Sequence, residues 1–290
     1  MERRGACGPP AHRHVKTLRR ITAALAVVGA LLLALHLGGR VVPLRNPAIY
    51  SERTPFPHDI QLTYEEARSQ LVRRAGETAE AYALRAHDVV TRGMAHYWRD
   101  DGVDKYHLRL PPWENYVLWA ASFVRPGMYR KWEFADPDRA LERGVGLCSQ
   151  AAIVLVHALR NNGVPAVIVG LDGHVVAMAA VAPGKRILLD ADYGVVVPFG
   201  LTEVSANPDL VRPYYAAKYP PAKVDQLVGI YGPKGNFLDP SGAANYTAVR
   251  HRREVISYTL CWVIPLVLMA PYGLVLAGTA LRRRLKRRKT

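Results

Sequence analysis

Two long apolar runs, residues 21–39 and 256–281, bracket a central stretch of mixed pattern, and neither run contains Asp, Glu, Lys or Arg. Each exceeds or approaches the ~20 apolar residues that cross a hydrocarbon core, which predicts two transmembrane helices. Pro265 and Pro271 inside the second run would kink a soluble helix, but a membrane helix tolerates them. The first run is long for the apolar part of a signal peptide, and no A-x-A-like cleavage site follows it, so an uncleaved anchor is expected.

Between the runs the pattern changes several times. Residues 40–62, with Pro43, Pro47, Pro55 and Pro57, show no period and read as a linker. Thr63 and Glu66 form a capping box that opens a domain over 63–249. Helical spacing predicts a helix to about Ala75 and a second from Thr78 to about Trp98, with Tyr82, Ala86, Val89, Val90, Met94 and Tyr97 on its apolar side. A short helix is expected over 113–123. Asp136-Pro137, an N-cap followed by proline, starts another that stops at Gly144. The core lies in 137–200. There an Ala/Val/Ile/Leu-rich helix over 149–161 ends at Asn162-Gly163 and precedes strand-like runs at 164–171, 174–181 and 186–193. A further strand is expected at 195–198. Asp172-Gly173 is a tight-turn signal and Ala182-Pro183-Gly184-Lys185 a looser turn. One helix followed by an antiparallel meander predicts an α+β core. Residues 203–249 read as short helices and loops. There is no internal repeat and no low-complexity tract; Asn245-Tyr246-Thr247 matches a glycosylation sequon, a triplet common by chance.

The formal net charge of +15 belongs mainly to the ends. Residues 1–20 hold six Lys/Arg against Glu2, and 282–290 hold seven with no acid. The basic balance is therefore no argument for nucleic-acid binding. It places both tails in the cytoplasm and residues 40–255 on the far side of the membrane. Arg40, Arg45, Arg250, Arg252 and Arg253 at the inner flanks weaken this bias without reversing it.

Of the three cysteines, Cys7 falls in the first tail and Cys261 in the second apolar run, so Cys148 has no disulfide partner within its own domain. Cys148 stands where the core helix begins. A helix N-terminus stabilises a thiolate and offers backbone donors to an oxyanion. Gly144 and Gly146 are expected to let a substrate backbone approach. A histidine must then take the thiol proton and return it to a leaving group, and a carboxylate must orient that histidine. The central stretch offers His58, His87, His96, His107, His157, His174 and His251. His157 lies nine residues after Cys148, on the opposite helix face. His174 opens a strand directly after a turn, beside the Cys148 helix. Asp190 and Asp192 share one face of the next strand by alternation, and either could serve. Pairing Val181 with Arg186 sets His174 opposite Tyr193; a register three residues away sets it opposite Asp190. Trp113, Asn115 and Trp132 are candidates for a side-chain oxyanion donor.

The run from Gly144 to Gly194 resembles the transglutaminase-like superfamily of papain-related fold. The likeness rests on Gly146-Leu147-Cys148 at a helix start, Ala158-Leu159-Arg160-Asn161-Asn162-Gly163-Val164-Pro165-Ala166 at its exit, His174 on a strand, and Asp190-Ala191-Asp192-Tyr193-Gly194 after the next. It covers about 50 residues. The family's aromatic after the histidine and its proline after the aspartate are replaced by Val175 and Ala191. The resemblance implies a Cys148 nucleophile, a His174 base and an Asp190 orienter. It implies thiol-dependent acyl transfer or amide hydrolysis on a peptide, protein or glycan-linked acyl substrate, with no metal or cofactor. The alternatives are a non-catalytic binding or assembly module for cell-envelope or exopolysaccharide machinery, and a membrane scaffold whose basic tails bind anionic lipid.

Overall fold

The computed structural model describes residues 11–51, 60–96, 100–232, 236–239 and 247–288. Cys7, His58, the Tyr97–Trp98 end of the second predicted helix, part of the 40–62 segment and Asn245-Tyr246 lie outside them. The chain forms two compact units. One holds the described residues up to Val42, residues 112–120 and those from Ile256 onward; the other holds 43–111 and 121–255.

In chain order the helices and strands begin with α1 (Ala11–Gly39), α2 (Tyr64–Gln70), α3 (Ala79–Gly93), β1 (Ala95–His96), α4 (Pro112–Val124), α5 (Pro126–Tyr129) and α6 (Pro137–Arg143). They continue with β2 (Val145–Gly146), α7 (Cys148–Asn161), β3 (Ala166–Leu171), β4 (His174–Ala182), β5 (Lys185–Asp190) and β6 (Val195–Val197). The chain then forms α8 (Leu201–Ala206), α9 (Arg212–Ala216), α10 (Pro221–Ile230), β7 (Phe237–Asp239) and α11 (Ala248–Arg287). This is a mixed α+β architecture with an antiparallel sheet and two long apolar helices.

Local chemistry accounts for the helix ends. The Thr63–Glu66 capping box opens α2, and Thr78 caps α3 through the Ala81 N–H. Helix α3 stops earlier than its apolar spacing predicts, because Met94 turns extended and the chain enters β1. Asp136 caps α6, and Gly144 closes it in the left-handed region at φ +69°.

The sheet runs β6-β5-β4-β3-β7. Helix α7 packs on β4 and β3. Ala177 and Ala179, both fully buried, point to one face of β4, where their small side chains leave room for a helix. The other face, with Val176, Met178 and Leu188, forms an apolar cluster with Val204, Tyr215, Leu227 and Tyr231 from the stretch that had carried little readable pattern. β7 was not expected; its backbone pairs antiparallel with β3 through Ile168–Asp239.

The 40–62 segment is not simply a linker. Leu44, Ile49, Ile60 and Leu62 are buried, and Ile49 and Ile60 pack with Ala95, Val103 and Val145. The buried Arg45 guanidinium donates to the carbonyls of Leu62, Gly93, Leu141 and Glu142. A prolyl, aperiodic segment is held here by one arginine satisfying four carbonyls, which hydrophobic periodicity does not reveal.

In the other unit, α1 and α11 are long and apolar enough to cross a membrane. They approach closely at Gly29, where an added Cβ would lie 2.7 Å from the Pro265 carbonyl oxygen. Pro265 cannot donate to the carbonyl of Cys261, one turn earlier. The Tyr116 hydroxyl fills that vacancy at 3.0 Å. Asn115, non-helical within α4, caps the turn that follows through Leu118 N–H and donates to Ser257 Oγ at 3.1 Å.

Candidate active site

Helix α7 begins at Cys148, one residue earlier than its apolar run suggests. Its N-cap, Leu147, has no side-chain acceptor, and the Leu147 carbonyl takes the N–H groups of Gln150 and Ala151. The Cys148 and Ser149 N–H groups thus belong to the first-turn donors that have no acceptor earlier in the helix.

The fold itself constrains Gly144 and Gly146. A Cβ on Gly144 would meet the Arg45 guanidinium at 2.6 Å, and one on Gly146 the Gln150 side chain at 2.6 Å. Gln150 is fully buried. Its amide exchanges hydrogen bonds with the Phe134 backbone, at 2.7 and 2.8 Å, fixing the start of α7 against the preceding loop.

His174 and Cys148 line one cavity of about 200 Å³, where the two side chains influence each other. His174 Nε2–H donates to Asp190 Oδ2 at 2.9 Å, so Nδ1 is the ring nitrogen left for the thiol. Burial works against the charged imidazole. The Asp190 carboxylate, its hydrogen bond and the neighbouring Cys148 outweigh burial and raise His174 well above its ordinary value.

Asp190 is held on every side. Tyr215 donates to Oδ2 at 2.6 Å, and the Tyr193 N–H to Oδ1 at 3.1 Å. Burial pushes this carboxyl up, but His174, Tyr215 and the Tyr193 N–H together bring it below its ordinary value. Behind it, neutral His87 donates Nε2–H to the Asp190 carbonyl at 3.1 Å, and Thr91 to the Ala191 carbonyl at 3.0 Å. Burial is what lowers His87 and keeps it neutral. Tyr219 donates to the Tyr193 carbonyl at 2.7 Å.

The strand register is neither of the two considered. Ala177 pairs with Leu189 and Ala180 with Arg186, but Ala182 pairs with Lys185, so a bulge at Val181 absorbs one residue. At the other end pairing stops at Ala177–Leu189, because β5 ends at Asp190 and the chain turns over 191–194. Asp190 is then the diagonal neighbour of His174 on the same face, within reach of a long side chain. Asp192 has left the sheet, no longer shares a face with Asp190, and its Oδ1 accepts from His96 Nδ1.

Cys148, His174 and Asp190 are therefore brought together, and Asp192 is committed to a different histidine. His157 is exposed and bonded to Asn161. Trp132 gives its indole N–H to Glu254 at 3.0 Å. Trp113, Asn115 and Trp132 are not among the residues lining the Cys148 cavity. Pattern reading missed Tyr215 and Tyr219, whose only trace is the density of tyrosine between 214 and 231, and gave no role to His87 and His96 among the seven candidate histidines.

Compared with family models, with curated proteins and with solved structures, the chain gives no match.

Proposed function

We propose that this protein is a membrane-anchored thiol enzyme of transglutaminase-like type, acting by acyl transfer or amide hydrolysis on a peptide, protein or glycan-linked substrate. The observation that carries the reading is the hydrogen-bonded series His174–Asp190–Tyr215 in one cavity with Cys148, the thiol at a helix start and the imidazole raised by its carboxylate.

In this reading the Cys148 thiolate attacks the acyl carbonyl. His174 first holds the thiol proton and then gives it to the departing group. Asp190 fixes the tautomer and orientation of His174 and compensates its charge. Water or an amine, deprotonated by His174, then takes the acyl group from sulfur. The α+β arrangement of a Cys helix on an antiparallel sheet supports the family assignment. The two apolar helices and the basic ends support a two-pass topology with both termini cytoplasmic and the domain outside.

The test is iodoacetamide labelling of the full chain in detergent micelles, with mass mapping of the labelled site. Cys148 should react faster than Cys7 and Cys261 and keep reacting well below pH ~8.5, the ordinary thiol range. Labelling of Cys148 at the rate of an unperturbed thiol, or only after denaturation, would sink the reading in favour of a binding module.

A further inference from the structure

The Cys148 cavity contains a second histidine–carboxylate pair that the scheme above leaves unused. His96 and Asp192 both line it, and both are nearly fully buried. We infer that His96, oriented by Asp192, supplies the side-chain hydrogen bond to the carbonyl oxygen under attack at Cys148. This rests on the thiol-enzyme reading and adds to it the group that stabilises the oxyanion.

Position comes first. β1 pairs in parallel with β2, and His96 stands opposite Gly146, two residues before the thiol. His96 therefore reaches the cavity from the side where α7 begins, and His174 reaches it from the sheet. The start of α7 also carries the Cys148 and Ser149 N–H groups. A carbonyl oxygen directed there by attack at sulfur meets backbone donors and the His96 ring together. Oxyanion sites are built from such mixed sets.

The state of the ring follows from its partner. Asp192 Oδ1 takes His96 Nδ1–H, and Oδ2 has no hydrogen-bond partner among the described residues. A buried carboxylate with one partner is tolerable when that partner is a cation. The proposed role takes the pair as imidazolium and carboxylate, the arrangement in which Nε2 carries a proton. An Nε2 that already holds a proton cannot act as a base toward the acyl acceptor. It can donate to a developing negative charge, and the base role already belongs to His174.

The step balances without a further reagent. The sulfur lone pair forms the S–C bond while the carbonyl π pair moves onto oxygen, which His96 Nε2–H and the α7 N–H groups hold. The oxygen pair then re-forms C=O, the bond to the leaving group breaks, and His174 protonates that group. The His96 proton stays on nitrogen throughout.

The experiment uses two probes on the full-length protein in micelles. p-Nitrophenyl acetate acylates Cys148 through an oxyanion; iodoacetamide alkylates it without one. Alkylation is measured at about pH 9, above the ordinary thiol pKa of ~8.5, so that thiolate content is not limiting. In His96→Leu the nitrophenol burst should slow by about 10²-fold or more, the usual cost of one lost oxyanion donor. His96→Gln keeps an amide donor and should lose less. Asp192→Asn, which acts only through His96, should slow the burst while leaving alkylation near the wild-type rate in all three. Thermal unfolding checks the fold, and the glutamine variant carries the test if the leucine variant does not fold. Burst rates within about threefold of wild type in both His96 variants overturn the inference. So does an unchanged burst followed by slower turnover, which would assign His96 to the acceptor. Failure of wild-type Cys148 with both probes defeats the thiol-enzyme reading itself, and this inference with it.

Discussion

The Tyr215 hydroxyl and the His174 imidazole donate to the same oxygen, Oδ2 of Asp190, at 2.6 and 2.9 Å. Tyr215 is fully buried and also bonds the Tyr231 hydroxyl at 2.7 Å. A carboxylate that must hold an imidazolium in an apolar core is thus itself held by a phenol. Tyr215→Phe keeps the ring and removes the hydroxyl. A hydrogen bond to a charged group contributes about 1.5–3 kcal/mol, so a stability loss of that order is expected. The Asp190 carboxyl should titrate higher, and Cys148 alkylation near neutrality should slow about tenfold. Unfolding and alkylation rates measured on one preparation check both; unchanged values would make Tyr215 a packing residue only.

The two aspartates should separate by mutation. Asp190→Asn leaves His174 without its carboxylate, a change that costs about 10⁴-fold in turnover in serine proteases. Cys148 alkylation at neutral pH should fall by orders of magnitude while the protein stays folded. Asp192→Asn should leave alkylation largely intact, since Asp192 bonds His96 rather than His174. The reverse ranking would transfer the orienting role to Asp192.

Stability should depend on pH through the same pair. His174 is raised well above its ordinary 6.5. Its contribution is fully present below that value and is lost as pH rises through the higher folded value. Asp190 lies below its ordinary 3.8, so its contribution is present above that value and is lost as pH falls through the lower folded one. The unfolding temperature should therefore decline on the alkaline side of 6.5, and His174→Gln should flatten that limb. An equally steep limb in the variant would place the titrating group elsewhere.

How much of this was legible depended on range. The α7 helix, the Asp172-Gly173 turn and the Asp136–Gly144 helix are written in neighbouring residues, and pattern reading located them. His174 stood out because it opens a strand. The Asp190–Asp192 choice stayed open because a bulge at Val181 and a strand end at Asp190 decide it, and neither leaves a periodic trace. Tyr215 and Tyr219 act from a stretch of short helices whose order comes from long-range packing. His96 sits on a strand of two residues, too short for alternation to show.

Gly146→Ala tests the start of the Cys148 helix. The new Cβ would lie 2.6 Å from Gln150 Cβ and 2.7 Å from its Cγ. Gln150 can yield only by breaking its paired bonds to Phe134. Overpacking of this kind costs about 1–3 kcal/mol, and more where a buried bond is lost. Unfolding should shift down by several degrees. A variant as stable as wild type would show that α7 can slide along its axis.

Topology gives a further check. Tags placed at the two termini should be reached by protease only after the membrane is opened, and the central domain should be cleaved in intact cells. Cleavage of either tag in sealed cells would reverse the orientation.

The line of donors behind the thiol ends blind. From Cys148 it passes to His174, Asp190, Tyr215 and then Tyr231, whose fully buried hydroxyl has Tyr215 as its hydrogen-bond partner among the described residues. Among the described residues that end of the line is closed, since Tyr231 is fully buried. In the proposed reaction a proton taken from the thiol would return by the cavity mouth, aboard the leaving group or the incoming acceptor. Proton traffic and substrate traffic then share one doorway, so an occupant too tight to admit water would also trap the proton.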